Sequence, residues 1–188
     1  MTIISPAVGD AIGPSLRRWR ALNRVKQAAL AAEFGVSQAT VSRWESNTQS
    51  PEPREARRLC QLLTARPSSA SDQALIDLVR SARSPMHLIC DLTHRLIAAS
   101  PGRTATWRVP AEDLTGSSLW RFASEGIRAG EAALHASGWY EAIAPDVVAA
   151  TERVDFRELT ILASNVRYTR MPLADGGFAR LVRSEALA

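Results

Sequence analysis

The sequence is poor in cysteine and has neither a long apolar run nor the features of a leader. Its 188 residues include two cysteines, Cys60 and Cys90, too few for a disulfide framework and suited to a reducing compartment. No apolar run approaches the roughly 18 residues of a membrane-spanning helix. The first residues lack the basic start and the apolar core of a signal peptide. We therefore expect a soluble, cytoplasmic protein with no membrane partner.

Lysine is also scarce, and the positive charge is unevenly distributed. Lys26 is the only lysine, so arginine supplies nearly all of the 23 basic residues. Residues 1–67 hold ten basic and five acidic residues, whereas residues 68–188 hold 13 basic and 14 acidic residues. This asymmetry indicates a module for a polyanion joined to a near-neutral module with another task. A solvated basic helix face is the alternative that charge alone leaves open.

Closely spaced helix signals in residues 14–64 predict a compact all-α domain of five short helices. Ser15 and Ser37 can cap the helices that start after them. Gly35 can end the intervening helix because glycine adopts positive φ without strain. Residues 1–13 have no periodicity and are expected to precede the first helix. Four of the five helices can be placed, over 16–24, 27–34, 38–46 and 53–64.

Residues 65–73 are small and polar and include a proline, so they predict a linker to a second domain over 74–188. Short apolar runs separated by turn signals predict an α+β domain with an antiparallel sheet. The predicted elements are a helix over 72–81, a hairpin over 87–99, helices over 125–137 and 139–150, and strands over 157–173 and 178–184.

The strongest local pattern is QAALAAEFGVSQATVSRWES, residues 27–46. Two helices that cross steeply need a small residue at their contact, which Ala31 supplies. The turn between them needs a residue free to adopt positive φ, which Gly35 supplies. Val41 and Trp44 provide the apolar contact, so we expect Trp44 in the core. This spacing is that of a helix-turn-helix, whose second helix enters the major groove of DNA; an ordinary helical bundle is the alternative.

The same pattern resembles the Cro and phage-repressor type of helix-turn-helix, the XRE family, over about residues 16–63. Lys26 stands where the family usually has a Ser or Thr cap, and Asn47 stands where glycine is usual, although asparagine tolerates positive φ. Glu45 is expected on the helix surface or paired with an arginine. The positions that agree with the family are Gln27, Ala31, Gly35, Val36, Val41, Glu45 and Pro51.

The resemblance implies which residues contact DNA. Glutamine can pair with adenine, arginine with guanine, and an alanine methyl can meet the methyl of thymine. The implied base-contacting residues are Gln38, Ala39, Ser42 and Arg43. Residues at a helix N-terminus and in nearby turns would hold phosphates, which set the register but not the sequence. The implied phosphate-contacting residues are Arg24, Lys26, Gln27, Asn47 and Thr48, with Gln27 also able to brace Gln38.

Three later segments resemble parts of a PAS domain, over about residues 84–185. LICDLTHRLIAAS (88–100) resembles its opening hairpin, AEDLTGSSLWRF (111–122) its helical middle, and YTRMPLADGGFARLV (168–182) its closing hairpin. The helical insert predicted over 124–154 is longer than usual for that family. The resemblance implies a fold that clasps a small ligand or pairs with a second copy. The aromatic residues that could line a pocket, with core packing as the alternative, are Trp107, Trp120, Phe122, Trp139 and Tyr140.

The chain lacks the residue sets of several catalytic and metal sites. Some XRE repressors carry a self-cleaving domain with a Ser–Lys dyad, but no lysine follows Lys26. No P-loop, HExxH or CxxC spacing occurs. His87, His94 and His135 are scattered and have no matching nucleophile pattern. We therefore predict no enzymatic activity, no metal and no cofactor.

Together these observations predict a sequence-specific DNA-binding transcriptional regulator. We expect a homodimer that reads a two-fold operator in double-stranded DNA. We expect its C-terminal PAS-like domain to dimerise and to bind a small ligand. The helix that carries Leu75, Ile76 and Val79 is a candidate for the dimer interface. The alternative is an antitoxin-like or adaptor protein whose C-terminal domain binds a protein partner, with DNA binding that is autoregulatory.

Overall fold

The computed structural model describes residues 9–185, which divide into two compact units. The first unit ends at Thr64 and is all-α, and the second begins at Ala65 and is built on an antiparallel sheet. The predicted fold class, a helical N-terminal part followed by an α+β part, is confirmed. Residues 1–8 of the predicted lead lie outside the described residues.

Four helices make up the described part of the first unit. They are α1 (Gly9–Leu22), α2 (Gln27–Phe34), α3 (Gln38–Glu45) and α4 (Pro53–Leu63). Helix α3 packs on α1 and α2, and α4 packs on α1. Leu16, Leu30, Val41 and Leu59 come from the four helices in turn, and each is completely buried. These side chains form the apolar contact that holds the unit together.

Helix α1 begins well before the predicted start at residue 16. Gly13 and Pro14 are signals of a helix boundary, yet both lie inside α1. A Cβ at Gly13 would overlap the main-chain oxygen of Trp44 and the side-chain amide of Asn47. Glycine at this position therefore has a packing role, because it lets α1 approach the end of α3.

The first unit has four helices in its described part rather than the predicted five. Helix α5 (Ala70–Ser81) packs on the first hairpin of the second unit. The predicted linker, 65–73, is also attached there. Ala65 is buried, and its main-chain N–H donates to Sγ of Cys90 at 3.3 Å. The predicted domain bounds, 14–64 and 74–188, stay a prediction.

Five antiparallel strands form the main sheet, in the order β2-β1-β7-β6-β3. They are β1 (Met86–Cys90), β2 (Leu96–Ala99), β3 (Val147–Thr151), β6 (Ser164–Pro172) and β7 (Phe178–Glu185). Between β3 and β6 in the chain, β4 (Val154–Asp155) and β5 (Thr160–Ile161) form a separate two-stranded ribbon. Both predicted hairpins are present, β1 with β2 and β6 with β7, and β7 joins them at the centre of the sheet.

The two faces of the sheet bury different side chains because strand residues alternate. Leu88 and Cys90 of β1 pack with Ile76 and Val79 of α5. Ile89, between them, joins a larger core on the other face. The remaining helical elements are α6 (Pro101–Thr104), α7 (Ala111–Leu114), a 3₁₀ turn (Leu119–Phe122) and α8 (Glu125–Ala133).

The helix predicted over 139–150 is wrong. The chain makes turns up to residue 146 and then enters β3, which pairs with β6 along its whole length. Val147 and Val148 are β-branched and suit a pleated strand. The helix predicted over 125–137 forms as α8 but ends earlier.

Candidate nucleic-acid interface and ligand pocket

The turn between α2 and α3 is closed by local hydrogen bonds. Gly35 has φ 68° and ψ 31°, the left-handed conformation that favours glycine. The N–H of Val36 donates to the main-chain oxygen of Ala31 at 3.0 Å. Ser37 caps α3, since its Oγ accepts from the N–H of Thr40 at 3.1 Å. The turn therefore fixes where α3 begins.

Helix α3 has one buried face and one exposed face. Val41 is completely buried, and Trp44 is 3% exposed. The rings of Phe34 and Trp44 meet edge to face, with centroids 6.2 Å apart. The predicted base-contacting residues lie at i, i+1, i+4 and i+5 of the helix, so they share the opposite face. The structure places these four on one exposed surface: Gln38, Ala39, Ser42 and Arg43.

Arg43 is held by two neighbours that the sequence analysis missed. Its Nε donates to Oε1 of Gln49 at 2.7 Å, and its Nη2 donates to Oγ1 of Thr40 at 3.2 Å. Thr40 precedes Arg43 by three residues, a spacing at which helical side chains meet and that could have indicated the contact. Gln49 follows Asn47, whose φ of 56° turns the chain back towards α3. No short-range pattern indicates that second contact.

A buried carboxylate links three helices behind the exposed face. Glu45 accepts hydrogen bonds from Nε and Nη2 of Arg20 at 2.6 and 2.9 Å. It also accepts from Nε2 of Gln27 at 2.8 Å, and Gln38 donates in turn to Oε1 of Gln27 at 3.4 Å. Burial acts to raise the pKa of Glu45, but the hydrogen bonds from Arg20 and Gln27 outweigh it and hold that pKa below its ordinary value.

The predicted phosphate-contacting residues lie in two kinds of setting. Four of them are exposed in the turns around α2 and α3: Arg24, Lys26, Asn47 and Thr48. Gln27 differs, because its side chain contacts Glu45 and Gln38. Its main-chain N–H lies at the start of α2, where the N-cap Lys26 makes no capping hydrogen bond with its side chain.

The comparisons with known proteins identify the motif in the first unit. The family model described as helix-turn-helix, HTH_3, matches residues 16–67. Residues 16–67 are a helix-turn-helix region. The XRE-type resemblance predicted for this part of the chain is confirmed, and α3 is the second helix of the motif. No curated protein matches the sequence. In residues 9–185, no helix has both the length and the apolar character needed to cross a membrane.

The second unit contains a cavity of about 110 Å³ on the larger-core face of its sheet. Three of the five predicted pocket residues line it, namely Trp107, Trp120 and Phe122. Sequence reasoning missed the polar side chains of its wall, which include His87 and Arg103. The alternation along β1 could have indicated His87, because that residue shares a face with Ile89.

Trp139 and Tyr140 do not line the cavity. Trp139 is completely buried, and its Nε1 donates to the two carboxylate oxygens of Asp91 at 3.1 and 3.2 Å. Tyr140 packs at the edge of the same core, with the guanidinium of Arg170 5.4 Å from its ring centroid. Core packing, the alternative reading of these aromatics, therefore describes both residues.

A buried ionic cluster adjoins the cavity. Arg180 donates to Asp91 at 2.7 Å and to Glu131 at 2.6 Å, and Arg170 donates to Asp91 at 3.3 Å. His94 Nε2 lies 3.3 Å from Glu131 Oε2. Burial acts to raise the pKa of Glu131, but Arg180 and His94 hold it well below its usual range. Two carboxylates face two guanidinium groups, so the cluster balances its own charge.

Several solved structures that are similar to the chain are described as PAS domains or as a sensory box protein. The PAS domain of an HTR-like protein from Haloarcula marismortui is 15% identical, with 62% of this chain and 97% of that chain covered and a TM-score of 0.38. The PAS domain of BvgS from Bordetella pertussis is 14% identical, with coverage of 61% and 85% and a TM-score of 0.34. A sensory box sensor histidine kinase from Vibrio cholerae is 9% identical, with coverage of 63% and 95% and a TM-score of 0.38. At these TM-scores the similarities carry no function over to this chain.

Proposed function

We propose that this protein is a sequence-specific DNA-binding transcriptional regulator whose helix α3 reads bases in the major groove. The observation that carries the proposal is the exposed face of α3, where an amide, a methyl, a hydroxyl and a guanidinium project from a helix anchored by Val41 and Trp44. These groups match the hydrogen-bonding edges and the thymine methyl of the major groove. Glutamine and arginine can each make paired contacts to one base.

The surroundings of α3 suit the phosphate backbone. Residues 1–67 carry a net charge of +5, and Arg24 and Lys26 are exposed beside the start of α2. The N-terminal N–H groups of a helix attract anions, so the start of α2 can hold a phosphate. We assign Arg24, Lys26, Asn47, Thr48 and the main-chain N–H of Gln27 to phosphate contacts.

A homodimer on a two-fold operator, working in the cytoplasm, completes the proposal. One recognition helix reads only a few base pairs, and two copies in successive major grooves, about 34 Å apart, multiply the specificity. The second unit would join the copies and bind a small molecule in its cavity. The presence of a cavity bounded by aromatic side chains supports the ligand-binding part.

Selection from random double-stranded DNA tests the function. The full chain is incubated with a randomised library, and bound sequences are recovered and counted. We expect an enriched two-fold motif with half-sites about 10 base pairs apart. Recovery of sequences without any enriched motif, or of RNA in preference to DNA, would contradict the proposal.

A further inference from the structure

Arg103 is the charged side chain of the cavity wall that the ionic cluster does not neutralise. Its Nη2 donates to Oγ of Ser184 at 2.8 Å and to the main-chain oxygen of Pro85 at 3.4 Å, and both acceptors are neutral. In the described part of the chain it makes no ion pair with a carboxylate. Burial lowers the pKa of Arg103 to about 10, so the guanidinium is still charged at neutral pH. Arg103 is half-buried, and a cation that is partly removed from water without a counter-ion is costly.

Two nitrogen atoms of residues that line the cavity, one in Arg103 and one in His87, have no hydrogen-bond partner in the described part of the chain. Nε of Arg103 and Nδ1 of His87 are shielded from solvent and have no hydrogen-bond partner among residues 9–185. Burial, with the charges of Arg103 and Arg180, holds the pKa of His87 well below its ordinary value. The imidazole is therefore neutral and can donate one hydrogen bond without adding a second charge. Buried polar groups in native proteins usually have partners.

Apolar side chains make up most of the remaining wall, and its other polar members are His94, Thr151, Thr160, Ser164, Tyr168 and Arg180. Trp107, Trp120 and Phe122 form one side, and Leu159 and Ile161 come from the ribbon. None of the described residues that line the cavity is an aspartate or a glutamate. A cavity of about 150 Å³ holds a benzene molecule, so one of about 110 Å³ suits a smaller body, such as a short branched chain.

We propose that the cavity binds a small monocarboxylate, with its apolar body against the aromatic side chains and its carboxylate against Arg103 and His87. This inference rests on the proposed ligand-binding function of the second unit and names the ligand class. A carboxylate supplies the negative charge that the described wall residues lack. Arginine pairs with carboxylates through short, charge-assisted hydrogen bonds. One guanidinium beside a neutral imidazole matches a single negative charge better than the double charge of a phosphate ester.

The test compares acids with their neutral amides on the full chain. The probes are isobutyrate, isovalerate and pivalate, each beside its primary amide, and binding is measured by titration calorimetry and by the rise in unfolding temperature. We expect at least one acid to bind about tenfold or more tightly than its amide, as loss of a charged hydrogen bond implies. This comparison needs no variant.

The variant Arg103→Met then tests whether Arg103 is the cation that binds the carboxylate of the acid. The variant is expected to lose about tenfold or more of its affinity for the acid, while affinity for the amide is unchanged. Arg157→Met removes an exposed arginine of the same unit that does not line the cavity, and should bind the acid as the unaltered chain does.

The outcomes separate this inference from the proposed function. Equal binding of acids and amides overturns the monocarboxylate assignment and leaves ligand binding by the second unit intact. Binding of neither set overturns the assignment as well. Acid binding that Arg103→Met does not weaken overturns the role of Arg103. Selection of DNA sequences by the first unit is measured separately and is unaffected by any of these results.

Discussion

Glu45 connects three helices through one carboxylate, which makes it a positioning residue for the exposed face of α3. Its side chain is 6% exposed, and it accepts hydrogen bonds from Arg20 on α1 and Gln27 on α2. Gln27 in turn accepts from Gln38, one of the four proposed base-contacting residues. The side-chain orientation of Gln38 is therefore coupled to the ion pair between Arg20 and Glu45, which lies outside the proposed DNA contacts.

Glu45→Ala is expected to lower the free energy of unfolding of the first unit by roughly 2–3 kcal/mol, because Arg20 and Gln27 each lose a charged acceptor. The measurement is urea denaturation followed by tryptophan fluorescence. Because the folded state lowers the pKa of Glu45, its contribution is complete above the ordinary glutamate pKa of about 4.3 and is lost as the pH falls through the folded-state pKa.

Glu33→Ala is the matched control for Glu45, because Glu33 is exposed on α2. Its unfolding free energy should stay within about 0.5 kcal/mol of the unaltered chain. The account of Glu45 is wrong if Glu45→Ala is as stable as the Glu33 variant, or if both lose the same stability on acidification.

Arg43 and Lys26 are expected to contribute to DNA binding in different ways. Arg43→Ala should cost roughly 1–3 kcal/mol of binding to the selected operator and relax the preference at one base position. Lys26→Ala should weaken binding to all sequences and reduce the salt slope by about one. Fluorescence anisotropy on operator and random DNA over a salt series measures both.

Arg57→Ala, on the exposed side of α4, controls for loss of one positive charge. Arg57→Ala should change the affinity for the operator less than Arg43→Ala or Lys26→Ala does. If Arg43→Ala loses the same affinity for operator DNA and for random DNA, Arg43 is not a base-contacting residue.

At the scale of elements, helix α1 shows where local sequence signals fail. Gly13 and Pro14 indicate a boundary, whereas the helix continues through both because α1 packs against the end of α3. Tertiary contacts outweigh the propensity of single residues. The hairpins of the second unit were predictable because alternation and turn residues are local. The pairing of Val147 and Val148 with β6 was not, because it joins distant segments.

Gly13→Ala tests the packing role of this glycine. In an exposed helix the change stabilises by up to about 1 kcal/mol, but here the new methyl group overlaps Trp44 and Asn47. We expect the free energy of unfolding to fall by roughly 1–3 kcal/mol. Gln61→Ala, exposed on α4, should leave it nearly unchanged. A Gly13→Ala chain that is more stable than the unaltered one in chemical denaturation would show that α1 has room at this position.

The two candidate sites differ in how many of their residues could be predicted from the sequence. The resemblance to the XRE family implied Gln38, Ala39, Ser42 and Arg43, and local helix geometry explains why these four share one face. The cavity was harder to predict, since its wall combines α6, the 3₁₀ turn, α8, the ribbon and four strands of the main sheet. Trp107 and Trp139 are alike in the sequence, and only the fold directs one into the cavity wall and the other into the core.

At the scale of the whole molecule, charge and structure divide the chain at the same place. The excess of positive charge lies in residues 1–67, and the first compact unit ends at Thr64. The unit with the recognition helix carries the charge that attracts a polyanion, whereas the unit with the cavity is nearly neutral. We expect the full chain to sediment as a dimer, which would give a two-fold operator its symmetry.

The central claim is that α3 reads the sequence of DNA, and one measurement tests it most directly. Selection from random DNA is carried out in parallel with the unaltered chain, with Gln38→Ser and with Lys26→Ala. The account predicts a two-fold motif for the unaltered chain, the same motif for Lys26→Ala, and a motif changed at one symmetric pair of positions for Gln38→Ser. An identical motif from all three chains would contradict it, because the sequence would then be read by another part of the molecule.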